Sequence, residues 1–190
     1  MFAQRVRLAG GFLLLLPLLA LGATGAGAQP LVYEHDGQPL FSLQVPEGWQ
    51  VDLDFSAEAR EAGVAEGEEP LFEIVEISPG DDSHVWFGVW ALADISTLDQ
   101  GLTYLGSLRG DLFTDLEASE PMATELGGMA ARTISGTAKR EGESVELAMA
   151  LFAPRENSVV AILYVGAPDA WRSHEEALAG IMASLEPAGQ

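Results

Sequence analysis

Residues 41–55 read Phe41-Ser42-Leu43-Gln44-Val45-Pro46-Glu47-Gly48-Trp49-Gln50-Val51-Asp52-Leu53-Asp54-Phe55. Phe41, Leu43 and Val45 alternate with Ser42 and Gln44. Beyond the Pro46-Glu47-Gly48 turn, Val51, Leu53 and Phe55 alternate with Gln50, Asp52 and Asp54. Period-two alternation on both sides of a Pro/Gly turn predicts a hairpin with one dry face and one wet face. Trp49 leaves the turn with too much apolar surface to stay in water, so a core must exist to receive it. The segments on either side supply that core.

Upstream, residues 31–35 form a short first strand that turns at Asp36-Gly37. Further back, Arg5 and Arg7 precede an apolar run at residues 12–21 broken only by Pro17, and Ala26-Gly27-Ala28 stands before Gln29. This order of basic, apolar and small residues is that of a secretory signal peptide cleaved near Ala28-Gln29. The run is about half of the roughly 20 apolar residues that a membrane span needs. Residues 1–28 are therefore expected to be removed. Residues 29–190 are expected to fold as one α+β domain, periplasmic or secreted, with no stable membrane span. The chain has no cysteine, which excludes disulfides, thiolate metal sites, CxxC redox chemistry and lipid attachment after the leader.

With 29 acidic residues against nine basic ones, the formal net charge is −20. A surface this negative repels nucleic acid and anionic headgroups, so neither is expected as a partner. The acidity suits solubility, as in a salty medium, or a cationic partner. Residues 56–70 concentrate it, with Glu58, Glu61, Glu66, Glu68 and Glu69 against Arg60, and read as a solvated loop.

Downstream, residues 71–78 and 85–92 flank Pro79-Gly80-Asp81-Asp82-Ser83 as a second hairpin. Leu71, Val75 and Ile77 fall on one side and Phe72 and Ile74 on the other. In the second strand Val85, Phe87 and Val89 oppose Trp86, Trp90 and Leu92. Strands apolar on both faces lie inside a layered protein. Ser96-Thr97-Leu98-Asp99 resembles a capping box, and behind it Leu98, Leu102, Leu105, Leu112 and Leu116 recur at helical spacing, with Leu108 and Phe113 beside them. Strands follow at 121–126, 129–139, 145–153 and 159–165. The last is apolar throughout and is expected at the sheet's centre. Pro168 suits a first helical position, and Trp171, Leu178, Ile181, Met182 and Leu185 form the stripe of a closing helix. Short turns demand antiparallel pairing, and a sheet apolar on both faces needs cover on both. The expectation is an α+β sandwich: a mainly antiparallel sheet with a helix on each face.

The Phe-Ser-Leu-Gln-Val-Pro-Glu-Gly-Trp-Gln-Val opening, the helix between the second hairpin and the later meander, and a closing helix entered through Pro168 and Trp171 resemble the PsbP-like superfamily. That group includes the extrinsic photosystem II subunit, the Ran-binding Mog protein and exported bacterial domains. The resemblance covers residues 31–185. It implies a PsbP-like fold and non-catalytic binding or assembly roles, with no catalytic motif to carry over.

The residues themselves offer few chemical candidates. Gly106-Ser107-Leu108-Arg109-Gly110 is not a nucleophile elbow, because the serine directly follows the first glycine. His35, His84 and His174 form no HExxH pair, and the glycines follow no phosphate-binding spacing. No cofactor and no metal are implied. Asp81, Asp82 and His84 could contribute to a partner or cation contact, although the turn lacks the alternating acids of an EF-hand. Trp86 and Trp90 share a face with Gly88 between them, which makes either core or a slot for a flat ligand or proline-rich peptide. The leading expectation is an exported binding or assembly domain with an envelope-protein partner. The alternatives are a small envelope enzyme or enzyme accessory with a slot near Trp86, Gly88 and Trp90, and a purely structural, salt-adapted envelope protein.

Overall fold

The structure is a computed structural model that describes residues 27–35, 37–52, 74–81 and 85–188, with the backbone alone at 107–112. Nearly all of the expected leader, the acidic segment 56–70, and Asp82 and His84 lie outside the described residues.

Two sheets form. The small one has order β1-β2-β11, from strands Gln29–His35, Gln38–Val45 and Glu186–Pro187. The large one has order β3-β4-β5-β10-β9-β8-β6, from Trp49–Asp52, Val75–Pro79, Trp86–Ala91, Ser158–Gly166, Glu143–Arg155, Met129–Arg140 and Thr114–Ala118. Strand β7, Met122–Leu126, pairs β8 beside β6. Every pairing is antiparallel. Helix α1 spans Leu98–Leu112 and α2 spans Ala170–Ala183. The α+β class and the antiparallel sheet agree with the sequence. So does the central place of β10, which sits between β5 and β9 and is buried from Val159 to its end.

The opening stretch behaves differently from expectation. The hairpin lies one element earlier, where β1 pairs β2 from Gln29↔Val45 to His35↔Gln38. After Val45 the chain changes sheets: β3 pairs β4, with Trp49 opposite Pro79. Pro46-Glu47-Gly48 is thus a corner between sheets, closed by the Trp49 amide donating to the Pro46 carbonyl at 3.2 Å. Alternation names the dry face of a strand but not its partner.

The cap of α1 is also one residue later than the sequence suggested. Thr97 Oγ1 accepts from the Gln100 amide at 3.2 Å, and Gln100 Oε1 accepts from the amides of Thr97 and Ser96 at 3.2 and 3.0 Å. That is a reciprocal box of Thr97 and Gln100 rather than Ser96 and Asp99. The helix stops at Leu112. Phe113 and Leu116, counted into its stripe, belong instead to the approach to β6 and to β6 itself. Pro168 precedes the N-cap of α2, Asp169, rather than opening the helix.

The large sheet is closed differently on its two faces. On the first, Val75, Ile77, Phe87, Val89, Phe152, Val160, Ile162 and Tyr164 pack with Leu31, Leu40, Phe41, Leu43 and Val45 of the small sheet, and with Leu178 and Ile181 of α2. The small sheet thus shares a cover that the sequence reading assigned to a helix. Phe41 joins the layers, stacked on Tyr33 at 5.1 Å and edge-on to Phe152 at 5.1 Å. The Tyr33 hydroxyl accepts from the Ala91 amide of β5 at 2.9 Å. On the second face Trp90, Leu92, Leu147, Leu151, Leu163 and Val165 pack with Leu105 of α1, and Leu98, Leu102, Phe113 and Leu116 close its margin. Each residue assigned to a face of the second hairpin and described here lies on the side its alternation indicates.

Candidate functional site

The two faces differ most clearly at β9. Leu147, Met149 and Leu151 point to the second face, and Ala148 and Ala150 to the first. Neighbouring β8 adds Thr133 and Ser135 to the first face, opposite Ala150 and Ala148 in register. These short side chains do not reach α2. A cleft of about 250 Å³ remains, walled by Phe87, Ile162 and Tyr164 on one side and by Trp171, Leu178 and Met182 of α2 on the other. Met122, opposite Thr133 in register, stands at the rim and is 65% exposed. On the second face the larger residues leave only about 60 Å³, beside Trp90, Leu102, Leu105 and Phe113.

Tyr164 forms the wall nearest the sheet's centre. It is 2% exposed, edge-on to Trp171 at 4.9 Å, and its hydroxyl has no hydrogen-bond partner among the described residues. The phenol lies over Gly166, where a Cβ would run into its oxygen. Burial pushes the hydroxyl up to about 12, and the Glu146 carboxylate adds to the shift.

Of the candidate residues read from the sequence, Asp81, Trp86 and Trp90 are described, and they lie in different surroundings. Trp90 is 4% exposed within the second-face core. Trp86, half-buried, lays its indole directly over Gly88, so a Cβ there would collide with the ring. The gap between the two tryptophans is therefore occupied by one of them. Asp81 belongs elsewhere: its carboxylate is 3.6 Å from Nε2 of His174 on α2, whose side chain is 12% exposed and edge-on to Trp49 at 5.6 Å. The separation suits an ion pair with a protonated imidazole and is too long for a hydrogen bond. Asp82 and His84 lie outside the described residues. Among the described residues no group of three or more His, Asp or Glu side chains is placed to hold a metal ion.

The cleft was not read from the sequence. Its signal is the small half of the β9 alternation, Ala148 and Ala150, beside Thr133 and Ser135 of β8.

No family model and no curated protein sequence matches the chain. Solved structures do. Cyanobacterial PsbP of Synechocystis sp. PCC 6803 (CyanoP) is similar with a TM-score of 0.58 at 15% identity, over 90% of this chain and 99% of that one. PA94 of Pseudomonas aeruginosa, a protein of unknown function, gives 0.52 at 15% identity over 84% and 97%. LpqN, involved in cell envelope biogenesis of Mycobacterium tuberculosis, gives 0.51 at 16% identity over 87% and 88%. At such identities the likeness is one of fold. The chain therefore shares the fold of cyanobacterial PsbP, in keeping with the fold that the order of its elements implied.

Proposed function

We propose that residues 29–190 form a single exported, non-catalytic binding or assembly domain of the cell envelope, released by removal of residues 1–28, which engages a protein partner through the first-face cleft. The observation that carries this reading is the cleft itself, an apolar space left open by Ala148, Ala150, Thr133 and Ser135 with Met122 exposed at its edge. Among the described residues, the polar groups that line it are the hydroxyls of Thr133, Ser135 and Tyr164. An envelope role is supported by the apolar run and small-residue site before Gln29, and by the fold shared with LpqN. No helix among the described residues is long and apolar enough to cross a membrane.

One observation favours the enzyme alternative, the approach of His174 to Asp81. His174 borders the stripe of Trp171 and Leu178, three residues after the first and four before the second, but it packs edge-on against Trp49 and does not line the cleft. A ligand slot between Trp86 and Trp90 would require the Trp86 indole to leave Gly88.

The test is photo-crosslinking in the native cell, with p-benzoylphenylalanine in place of Met122. The expected result is a discrete protein adduct on a chain that begins near Gln29, lost when Ala148→Leu fills the cleft. Adducts unaffected by Ala148→Leu, or formed only from a probe at Asp81 or Trp86, would refute the cleft as the binding site. A retained leader would refute the proposed release.

A further inference from the structure

Resting on that reading, the charge around the cleft identifies the partner's chemistry. The strand register lays the first face out in transverse rows. Met122, Thr133, Ala150 and Ile162 form one row, and Ser135, Ala148 and Tyr164 the next. The row beyond contains Glu117, Thr137, Glu146 and Gly166. Directly paired residues share a face, so Glu117 and Glu146 stand at the end of the cleft, two strand spacings or about 10 Å apart. A third acid overlooks it from above. Glu175 falls on the helical stripe of Trp171, Leu178 and Met182, four residues after the first and three before the second. Among the described residues none of these three glutamates is in an ion pair, whereas the nearby bases are engaged. Lys139 lies 2.7 Å from Asp115, and Arg172 lies 3.6 Å from Asp169.

An apolar cavity of about 150 Å³ takes a single benzene ring. At about 250 Å³, and open to solvent on one side, this cleft suits one large or two smaller apolar side chains of a partner. A second copy of the chain is disfavoured, since each copy carries a net charge of −20. We infer that the cleft between α2 and strands β7–β10 docks a basic segment of a partner protein, with an apolar anchor side chain over Ala148 and Ala150 and a neighbouring Lys or Arg held by Glu117, Glu146 and Glu175. The anchor supplies affinity by desolvation, and the acids supply register and speed of association.

The experiment selects a phage-displayed random dodecapeptide library on the full exported chain, with counter-selection on Ala148→Leu and on Ser135→Leu in case one of them folds poorly. The expected peptides combine an aromatic or leucine anchor with Arg or Lys within a few positions, and neither cleft-filled variant retains them. A synthetic copy should bind about three- to tenfold more weakly to Glu117→Gln/Glu146→Gln, since partly exposed charge pairs contribute modestly, and more weakly still as salt rises. Enriched peptides that lack basic residues, that survive cleft filling, or that bind the double variant equally well overturn the inference. So does self-association of the chain through Met122. If Met122 forms adducts lost on cleft filling while selected peptides carry no basic residue, the binding function stands and only the partner chemistry fails.

Discussion

The two faces of the large sheet are built from the same strands and have opposite characters. Strand β9 sends Leu147, Met149 and Leu151 to one side, where they meet Leu105 of α1 and leave about 60 Å³ unfilled. Its other side carries Ala148 and Ala150, and there the space beneath α2 is about four times larger. The first face is not poorly packed throughout. Under the small sheet it holds Phe41, Phe152, Leu43 and Ile77 essentially without exposure. The open part is confined to the corner where short residues of β8 and β9 coincide. Interiors are otherwise close-packed, and a void forfeits dispersion contacts, so this localised gap is the feature on which the proposed binding reading rests.

The largest effect should come from the filled part of the first face. Phe41→Ala removes a ring at 0% exposure that contacts both Tyr33 and Phe152, and should cost about 3–5 kcal/mol. Urea unfolding measures it, and a loss below about 1 kcal/mol would mean that the small sheet does not hold the layers together. Trp49→Ala should cost less. Trp49 is half-buried at the core's edge against His174, so about 2 kcal/mol of apolar burial is at stake rather than the full cost of a central aromatic.

Tyr164 provides a pH test of the boundary between the packed and open regions. Its hydroxyl is held protonated up to about 12 by burial and then by Glu146, against an ordinary value of 10.0. Because the folded value lies above the unfolded one, the native state keeps a proton that the unfolded chain gives up. The contribution is whole below pH 10 and is lost as pH rises from 10 through 12. It should be on the order of 2 kcal/mol. Tyr164→Phe should flatten that alkaline limb in a stability-versus-pH series. An unchanged limb would place the phenol in water and widen the cleft to its oxygen.

Much of this arrangement is legible in the sequence, and the failures share a cause. Alternation assigned Val85, Phe87 and Val89 to one face and Trp86, Trp90 and Leu92 to the other, because the pleat fixes sidedness locally. The partner of β2 was missed because pairing is non-local: the stretch at Phe41 reads the same whether it turns back on itself or crosses to another sheet. Strand β6 was absorbed into the helix since Leu116 continues the spacing of Leu112. The helix ends at Leu112, and within β6 Asp115 takes φ 51 at an irregular register. Strand β11 is two residues long and includes Pro187, leaving no pattern to find. The cleft escaped because large residues announce a core, whereas small ones announce a space only once the opposing helix is known. Between the two tryptophans, the missing side chain of Gly88 accommodates the Trp86 indole.

The difference between the faces is tested most directly by making one substitution on each. Ala148 is half-buried on the cleft floor, and Ala161 is fully buried on the second face, two strand positions before Leu163. Overpacking a filled core by Ala161→Leu should cost about 1–3 kcal/mol. Ala148→Leu adds the same atoms to an open space and should leave stability within about 1 kcal/mol of the parent, or raise it. Equilibrium denaturation of the two variants decides between them. A neutral Ala148→Leu beside a destabilised Ala161→Leu is the predicted result, and an equal loss in both would mean that the cleft is not open in solution.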